Sequence, residues 1–290
     1  MPHFSRLFGS VELAARIERA EAGLVAEAVA AAKRRQPRGG AFATPIAGGV
    51  AAFVDSGSPV NKLAGLGFAG LPDDGELAAI EADYAARREP VRVELANLAE
   101  PSLAQRLTRR GYGLSGFENV LGIQLQRQSV TDTARLAIGV AIAESPIEEL
   151  DLWVDVVVDG FAQPDAQGVA SPDDFPREIV ARAMRDFAET SGFERFLARR
   201  EGQPAGGASF RLADGIAQLC GAATLPAHRR RGIQSSLLAH RLARAAAAGC
   251  DVAVATTLPG SKSQENMERH GFRLLYTRAV LVREPPIAGA

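Results

Sequence analysis

An internal repeat limits the folds that this chain can adopt. The segment 107–114, Leu-Thr-Arg-Arg-Gly-Tyr-Gly-Leu, aligns with the segment 267–274, Met-Glu-Arg-His-Gly-Phe-Arg-Leu. Further upstream, residues 67–72 align with residues 221–226, so the second copy holds a short insertion, which falls at residues 228–233. Two copies of one structural unit predict two tandem domains of the same fold, with one loop present only in the second.

The apolar periodicity predicts an α/β (α+β) protein. In the first half it indicates helices at 11–35, 73–88 and 102–110 and strands at 91–95 and 114–125. In the second half it indicates strands at 135–143, 193–199, 208–211, 216–225, 252–257 and 272–282, and helices at 147–161, 176–190, 233–248 and 263–270. Residues 126–133 are polar and aperiodic, so we place a boundary near residue 130, between domains 1–130 and 131–290.

Charge and composition exclude several classes of function. The 33 basic and 34 acidic residues give a net charge of -1, which provides no general attraction for nucleic acid or an anionic membrane. The start of the chain has no signal-peptide pattern, and the Ala-rich stretch near residue 25 is interrupted by charges. Cys220 and Cys250 form no disulfide framework, and the histidines show no metal-ligand spacing. We therefore expect a cytoplasmic protein without a metal, and the oligomeric state is open.

The strongest functional signal lies between the strand at 216–225 and the helix at 233–248. Arg229, Arg230 and Arg231 stand directly before Gly232, which permits a tight turn with a positive φ. Unpaired amides at a helix start can bind a pyrophosphate without a metal ion. An arginine cluster alone is more often a solvated face, but its place between strand and helix favours an anion site. The glycines of 65–70 fit a dinucleotide fingerprint by letters only, because no helix follows them directly.

The segment Arg229-Arg230-Arg231-Gly232-Ile233-Gln234 resembles the Arg/Gln-x-x-Gly-x-Gly/Ala loop of the GNAT acetyltransferase superfamily. The resemblance implies two tandem GNAT-like domains, each a mixed, mostly antiparallel sheet flanked by helices, with acetyl-CoA as co-substrate. It implies that coenzyme A is bound by backbone groups of the preceding strand, by the loop and helix start, and by side chains of the helix at 263–270. These positions are Ala223, Leu225, Arg229, Arg230, Arg231, Gly232, Ile233, Gln234, Ser235, Ser263 and Asn266.

The sequence departs from the family pattern at several positions. Gln234 replaces the small residue of the loop, and Met267 stands where the family usually has the tyrosine that protonates the leaving thiolate. Ser263 or a water could take over that role, while Gln218 cannot act as a base. In the first half, Asp73, Asp74 and Glu76 stand at a helix start and would repel an anion. We expect the first half to bind no coenzyme and to serve as scaffold or as one wall of the acceptor site.

These observations favour an N-acetyltransferase that moves an acetyl group from acetyl-CoA to a primary amine of a small molecule or peptide. The alternative is a non-catalytic acyl-CoA sensor, which the methionine at 267 and the missing base favour. Binding of nucleic acid is a weak third hypothesis, because no aromatic residues alternate with the arginines. Trp153 and Phe161 could line an acceptor pocket, with Asp155 and Asp159 attracting a cationic amine, but helical spacing favours core packing for the two aromatic residues.

Overall fold

We describe the chain from a computed structural model, which covers residues 7–125, 137–163, 169 and 175–286. The helices are α1 Val11–Arg35, α2 Asp74–Ala86, α3 Ser102–Arg109, α4 Leu150–Ala162, α5 Arg177–Ala188, α6 Ile233–Ala247 and α7 Lys262–Arg269. The strands are β1 Phe42–Ile46, β2 Gly49–Phe53, β3 Lys62–Ala64, β4 Val91–Ala96, β5 Gly113–Gln124, β6 Val140–Glu144, β7 Phe193–Arg200, β8 Gln203–Ala213, β9 Ile216–Thr224, β10 Val252–Thr257 and β11 Arg273–Arg283. The mixed α/β fold expected from the sequence is confirmed.

The chain forms two compact units, and these do not follow the contiguous ranges 1–130 and 131–290. The first unit holds Met1–Gly122 together with Thr256–Ala290, and the second holds Ile123–Ala255. The last helix and strand therefore belong to the first unit. The boundary predicted near residue 130 lies outside the described residues. Among the described residues, no helix is both long and apolar enough to cross a membrane.

The last strand of the chain is inserted into the sheet of the first unit. In that sheet β1 pairs with β2 and β2 with β3, both antiparallel, and β3 runs parallel to β4. The C-terminal strand β11 then pairs antiparallel with β4 on one side and with β5 on the other. Because β11 separates β4 from β5, residues 1–122 alone cannot complete this sheet.

A cluster of charged side chains fixes β11 inside the first unit. Arg278 of β11 is 2% exposed, and its Nε donates a 2.7 Å hydrogen bond to Glu18 of α1, which is 1% exposed. Lys62 pairs with Glu21 at 3.0 Å and with Glu94 at 2.9 Å. Removing one partner of a buried ion pair is costly, because the other charge is then left unpaired away from water. The side chains of this cluster are Glu18, Glu21, Lys62, Arg92, Glu94, Glu118 and Arg278.

Four carboxylates therefore face three cations in this cluster, and Glu118 is the carboxylate with the poorest contacts. Its Oε2 is buried without a hydrogen-bond partner among the described residues, and the nearest cation is Arg278 Nη1 at 3.7 Å. Burial, with the charge of neighbouring Glu94, raises the pKa of Glu118 to about 7. Glu118 thus gains or loses its proton close to neutral pH.

The second unit is a five-stranded sheet with helices on both faces. Its strands follow the order β10, β9, β8, β7, β6, with β9 and β10 parallel and the remaining neighbours antiparallel. Ile233 and Leu237 of α6 pack with Phe196 and Phe210 on one face of the sheet. On the other face, α4 and α5 pack against residues that include Leu197. Adjacent residues of β7 thus point to opposite faces, as expected for a strand between two helical layers.

A buried arginine ties α6 to this sheet. Arg241 is 1% exposed, and its Nη1 donates a 2.9 Å hydrogen bond to the Ser209 carbonyl of β8. Burial lowers the pKa of Arg241 to about 10, so the guanidinium stays charged at neutral pH. The helix that begins at Gly232 is therefore held by an apolar stripe and by one buried polar contact.

We expect Arg278→Met to destabilise the protein by about 3 to 5 kcal/mol, because it leaves buried Glu18 without its cationic partner. The free energy of unfolding can be measured by urea denaturation at pH 7. Arg273→Met is the control, since Arg273 lies in the same strand and is exposed. A loss for Arg278→Met no larger than that of the control would contradict the role given to the cluster.

We expect the free energy of unfolding to fall as the pH rises, because Glu118 then loses its proton. Its folded pKa of about 7 lies above the ordinary glutamate value, so its contribution is complete below about pH 4.5 and is lost as the pH rises through 7. Between pH 5 and 7, the free energy of unfolding of the wild type should fall more steeply than that of Glu118→Gln, by about 1 kcal/mol per pH unit. Glu148→Gln, at an exposed position, should keep the wild-type slope. Equal slopes for wild type and Glu118→Gln would refute this assignment.

Candidate anion-binding site

The loop between β9 and α6 turns sharply because two of its residues have left-handed backbone conformations. A single 3-10 turn, Pro226–His228, follows β9. Arg230 then has a φ of 58° and Gly232 a φ of 77°. Gly232 is the N-cap of α6, without a side-chain cap, and its carbonyl accepts the first helical hydrogen bond, 3.0 Å from the Ser236 amide. A Cβ at Gly232 would also lie 2.9 Å from the Ala137 Cβ, so glycine is required for both conformation and space.

This turn leaves a series of backbone amides without acceptors. Within the part of the chain that the structure describes, the amides of Arg230, Arg231, Gly232, Ile233 and Ser235 donate to no protein atom. Apart from Ile233, whose side chain anchors α6 in the core, these residues are exposed. Unpaired amides at the first turn carry the positive end of the helix dipole. Successive unpaired amides beside left-handed residues are an arrangement that suits an anion. The sixth predicted loop residue, Gln234, already has an interaction within the chain.

The three arginines of the loop differ in their surroundings. Arg230 and Arg231 are exposed, and neither forms an ion pair or side-chain hydrogen bond with any described residue. Arg229 is half-buried, and its guanidinium donates to the carbonyls of Thr224, Gly160 and Gln163. Two of the predicted cationic ligands are thus free to meet an anion, while the third is held by backbone carbonyls.

The strand that leads to the loop has an unpaired edge. The parallel pairing of β9 with β10 covers only Ile216–Gln218 of β9, whereas the strand continues to Thr224. The pairing with β8 shows a bulge between Cys220 and Ala223, where Gly221 has a φ of 54°. A bulge increases the local twist and bends the strand. The edge of β9 beyond Gln218 therefore offers backbone groups to an extended ligand. This bulge was not predicted, although Gly221 within a strand pattern is the signal for it.

The structure corrects the backbone role expected of Leu225. Its amide donates to the Ala205 carbonyl at 3.0 Å, and its carbonyl accepts from the His228 amide at 2.9 Å. Along a strand, the backbone N–H and C=O groups of successive residues point alternately to its two edges. Like Leu225, Ala223 therefore faces β8, whereas Thr224 faces the unpaired edge. The Thr224 hydroxyl is buried without a partner among the described residues. The sequence analysis did not identify Thr224, because the sequence does not give the register between β9 and β8.

The remaining predicted ligands lie on α7, which belongs to the first unit. Ser263 is exposed, and Asn266 is half-buried with an interaction within the chain. Met267 is 5% exposed and is part of the hydrophobic core. Their contribution to coenzyme binding stays a prediction, as does the role of Ser263 in catalysis.

The residues considered for the acceptor site and the base have structural partners. Trp153 is fully buried and donates to the Ala208 carbonyl at 3.2 Å, as core packing requires, whereas Phe161 is 42% exposed. Arg177 pairs with Asp155 at 2.8 Å and with Asp159 at 3.0 Å, joining α5 to α4. Both aspartates thus already pair with a cation of the chain itself.

Gln218 is also engaged within the protein. It is 5% exposed, and its Oε1 accepts from Arg211 Nη1 at 3.4 Å. Its amide carries no titratable proton, so it does not supply the missing base. Among the described residues, no group of three or more histidine, cysteine or acidic side chains could hold a metal ion.

In the first unit, a carboxylate already occupies the corresponding helix start. The Asp73 side chain accepts from the Gly75 amide at 2.7 Å, and Glu76 accepts from the Asp73 amide at 2.9 Å, which forms a capping box. Asp74 pairs with Arg106 at 2.8 Å and with Arg110 at 3.3 Å. The amides that an external anion would use are thus satisfied by acidic side chains of the chain itself.

Comparison with known proteins gives this site a family context. Residues 163–272, which include β9, the loop and α6, match the model of the acetyltransferase (GNAT) family. No curated protein matches the sequence.

Several solved structures resemble most or nearly all of the chain. A GCN5-related N-acetyltransferase from Kribbella flavida is 20% identical, with 97% of this chain and 98% of that chain covered and a TM-score of 0.65. A tandem GNAT protein from the clavulanic acid biosynthesis pathway is 13% identical, with 97% and 98% covered and a TM-score of 0.58. A GCN5-related N-acetyltransferase from Sphaerobacter thermophilus is 15% identical, with 73% and 67% covered and a TM-score of 0.53. At these identities the likeness concerns the fold.

The left-handed turn before α6, the unpaired edge of β9 and the family match all lie in one segment. Residues 163–272 accordingly match the acetyltransferase (GNAT) family, in a chain whose fold is similar to that of a tandem GNAT protein.

Proposed function

We propose that this protein is an N-acetyltransferase that moves an acetyl group from acetyl-CoA to a primary amine of a small molecule or peptide. A GNAT domain supports acyl transfer in general. The observation that carries the finer proposal is the set of amides at the start of α6 that have no acceptor among the described residues, those of Arg230, Arg231, Gly232, Ile233 and Ser235. Such a set suits the pyrophosphate of coenzyme A, because charge-assisted hydrogen bonds from backbone amides need no metal ion.

Arg230 and Arg231 supply the charge that the amides lack. Both side chains are exposed beside the concave turn and have no carboxylate partner among the described residues. Coenzyme A carries a 3′-phosphate besides its pyrophosphate, so two free guanidinium groups match its excess negative charge. The residues present therefore fit this ligand.

The unpaired edge of β9 suits the pantetheine arm. An extended chain with amide groups can pair with a free strand edge in the manner of an added strand. The backbone of Thr224 faces this edge, with its carbonyl accepting from Arg229 Nε, and the bulge at Gly221 bends the strand beside it. The buried Thr224 hydroxyl would gain a hydrogen bond from such a ligand, which removes the cost of an unsatisfied polar group.

Transfer requires an acceptor nitrogen that has lost its proton and a leaving thiolate that gains one. Met267 is buried and carries no proton, and Gln218 is bonded to Arg211. In this proposal the contribution of the chain is to bind and orient the two substrates, and solvent exchanges the protons with the reacting nitrogen and sulfur.

The same observations support a second candidate, a protein that binds acyl-CoA without transferring the acyl group. The buried methionine at 267 is the feature that favours it. This candidate shares the loop and its ligand with the enzyme, so it differs only in the absence of turnover.

Incubation with acetyl-CoA and a panel of amines, followed by the release of free thiol, separates the two candidates. The enzyme releases thiol only when a suitable amine is present, and the rate rises with pH toward the pKa of that amine because no general base assists. Binding of acetyl-CoA without thiol release for any amine, small molecule or peptide would identify the sensor and refute the enzyme.

The loop itself can be tested with matched glycine substitutions. We expect Gly232→Asp to abolish the rise in melting temperature that acetyl-CoA produces, because the new carboxylate and Cβ occupy the turn. Gly249→Asp is the control, since Gly249 has a φ of 88° and open space around it. Both variants suffer the same backbone strain, and only the control should keep the ligand-induced rise. An unchanged rise in Gly232→Asp would exclude the loop as the coenzyme site.

We expect one coenzyme per chain, because Asp73 and Glu76 fill the amide positions of the first unit. Titration calorimetry of the wild type with acetyl-CoA measures the stoichiometry directly. Two sites of similar affinity would show that the first unit binds coenzyme despite its acidic cap.

A further inference from the structure

The three loop arginines are adjacent in sequence but make different contacts. Arg229 Nε lies 3.4 Å from the Thr224 carbonyl at the end of β9. Its Nη2 lies 3.4 Å from the Gly160 carbonyl and also donates to the Gln163 carbonyl. One guanidinium therefore joins the end of a strand to the end of a helix, on the chain segment that begins the anion-binding turn.

The helix end that Arg229 contacts carries unpaired carbonyls. Gly160 lies in the last turn of α4 and Gln163 is the C-cap, where carbonyls lack intrahelical partners and the helix dipole is negative. A cation there satisfies these groups. It also places a positive charge between the negative end of α4 and the loop. Without that charge, the negative end of α4 would weaken the attraction of the loop for an anion.

Close packing keeps these partners in place. A Cβ on Gly160 would lie 2.5 Å from the Ala223 Cβ, so the end of α4 lies directly against the end of β9. The carbonyls of Gly160 and Thr224 are thereby fixed within reach of one planar guanidinium. The ammonium of a lysine is a single point and cannot reproduce this fork of donors.

We propose that Arg229 is a positioning residue, which holds the anion-binding turn against the ends of β9 and α4 through backbone carbonyls, and that Arg230 and Arg231 bind the phosphates by charge. This inference rests on the proposed function and assigns different roles to the three arginines of its binding loop. The geometry of the guanidinium fork matters at position 229, whereas only the positive charge matters at 230 and 231.

Conservative substitution tests this division. The dissociation constant for acetyl-CoA would be measured by calorimetry for Arg229→Lys, Arg230→Lys and Arg231→Lys, and for the corresponding glutamine variants. Lysine should preserve most of the affinity at 230 and 231, within about threefold, while glutamine should weaken binding about tenfold at each. At position 229, lysine and glutamine should both weaken binding about tenfold, because neither side chain spans the carbonyls.

The rate of amide hydrogen exchange in the unliganded proteins separates the two roles. It changes when the loop loses its backbone anchor, but not when only a contact to phosphate is lost. Arg229→Lys should speed exchange of the hydrogen-bonded amides of Leu225, His228 and Arg229, whereas Arg230→Gln should leave exchange there at the wild-type rate. Thermal unfolding of each variant without ligand would show that the fold is retained.

The outcomes separate this inference from the proposed function. If wild type binds no acetyl-CoA, the proposed function fails. If wild type binds and Arg229→Lys keeps full affinity and normal exchange, Arg229 acts by charge like its neighbours and the inference is wrong. Weak binding and fast exchange for Arg229→Lys, with retained binding for Arg230→Lys and Arg231→Lys, would establish it.

Discussion

The left-handed backbone at Gly232 is the constraint on which the functional account depends. It starts α6 without a side-chain cap, so the amides of Gly232, Ile233 and Ser235 have no acceptor among the described residues. The core fixes this arrangement, because Ile233 and Leu237 of α6 pack with Phe196 and Phe210. Arg241 of the same helix also donates a hydrogen bond to β8. The unsatisfied amides are therefore held by the fold, and an anion can bind without a rearrangement of the backbone.

The two units show how small a change removes such a site. In the second unit, a glycine precedes the helix, and the amides of Ile233 and Ser235 have no acceptor in the part of the chain that the structure describes. In the first unit, Asp73 and Glu76 form a capping box that satisfies the same amides from within the chain. A capping box stabilises its helix and also fills the position that an external anion would take. The first unit also holds a buried ionic cluster around Arg278, and the last strand of the chain completes its sheet.

Periodicity was sufficient for the long elements and insufficient for the short ones. The pattern placed α1 at its observed bounds, Val11–Arg35, since its apolar positions recur over many turns. It missed β1, β2 and β3, which are too short for a clear alternation. It also began β8 too late, because Gly206 and Gly207 interrupt the pattern. These glycines are required by close packing, as a Cβ would lie 2.9 Å from Ile233 Cγ2 and 2.8 Å from Val157 Cγ2, respectively.

At the candidate site, local features were predictable and register-dependent features were not. The loop, Gly232 and the helix start follow from adjacent residues. The backbone of Leu225 is hydrogen-bonded within the chain, and that of Thr224 faces the unpaired edge of β9. Both facts depend on how β9 pairs with β8, which no local pattern specifies. The position of β11 between β4 and β5 is likewise a long-range choice. The role of Arg229 depends on carbonyls of α4, far away in sequence.

The most direct test of the central claim is a titration of deuterated, ¹⁵N-labelled protein with acetyl-CoA, followed by amide chemical shifts. The account predicts the largest shift changes at the amides of Arg230, Arg231, Gly232, Ile233 and Ser235, with little change at residues 73–76. Saturable binding that leaves the amides of residues 230–235 unshifted would contradict it.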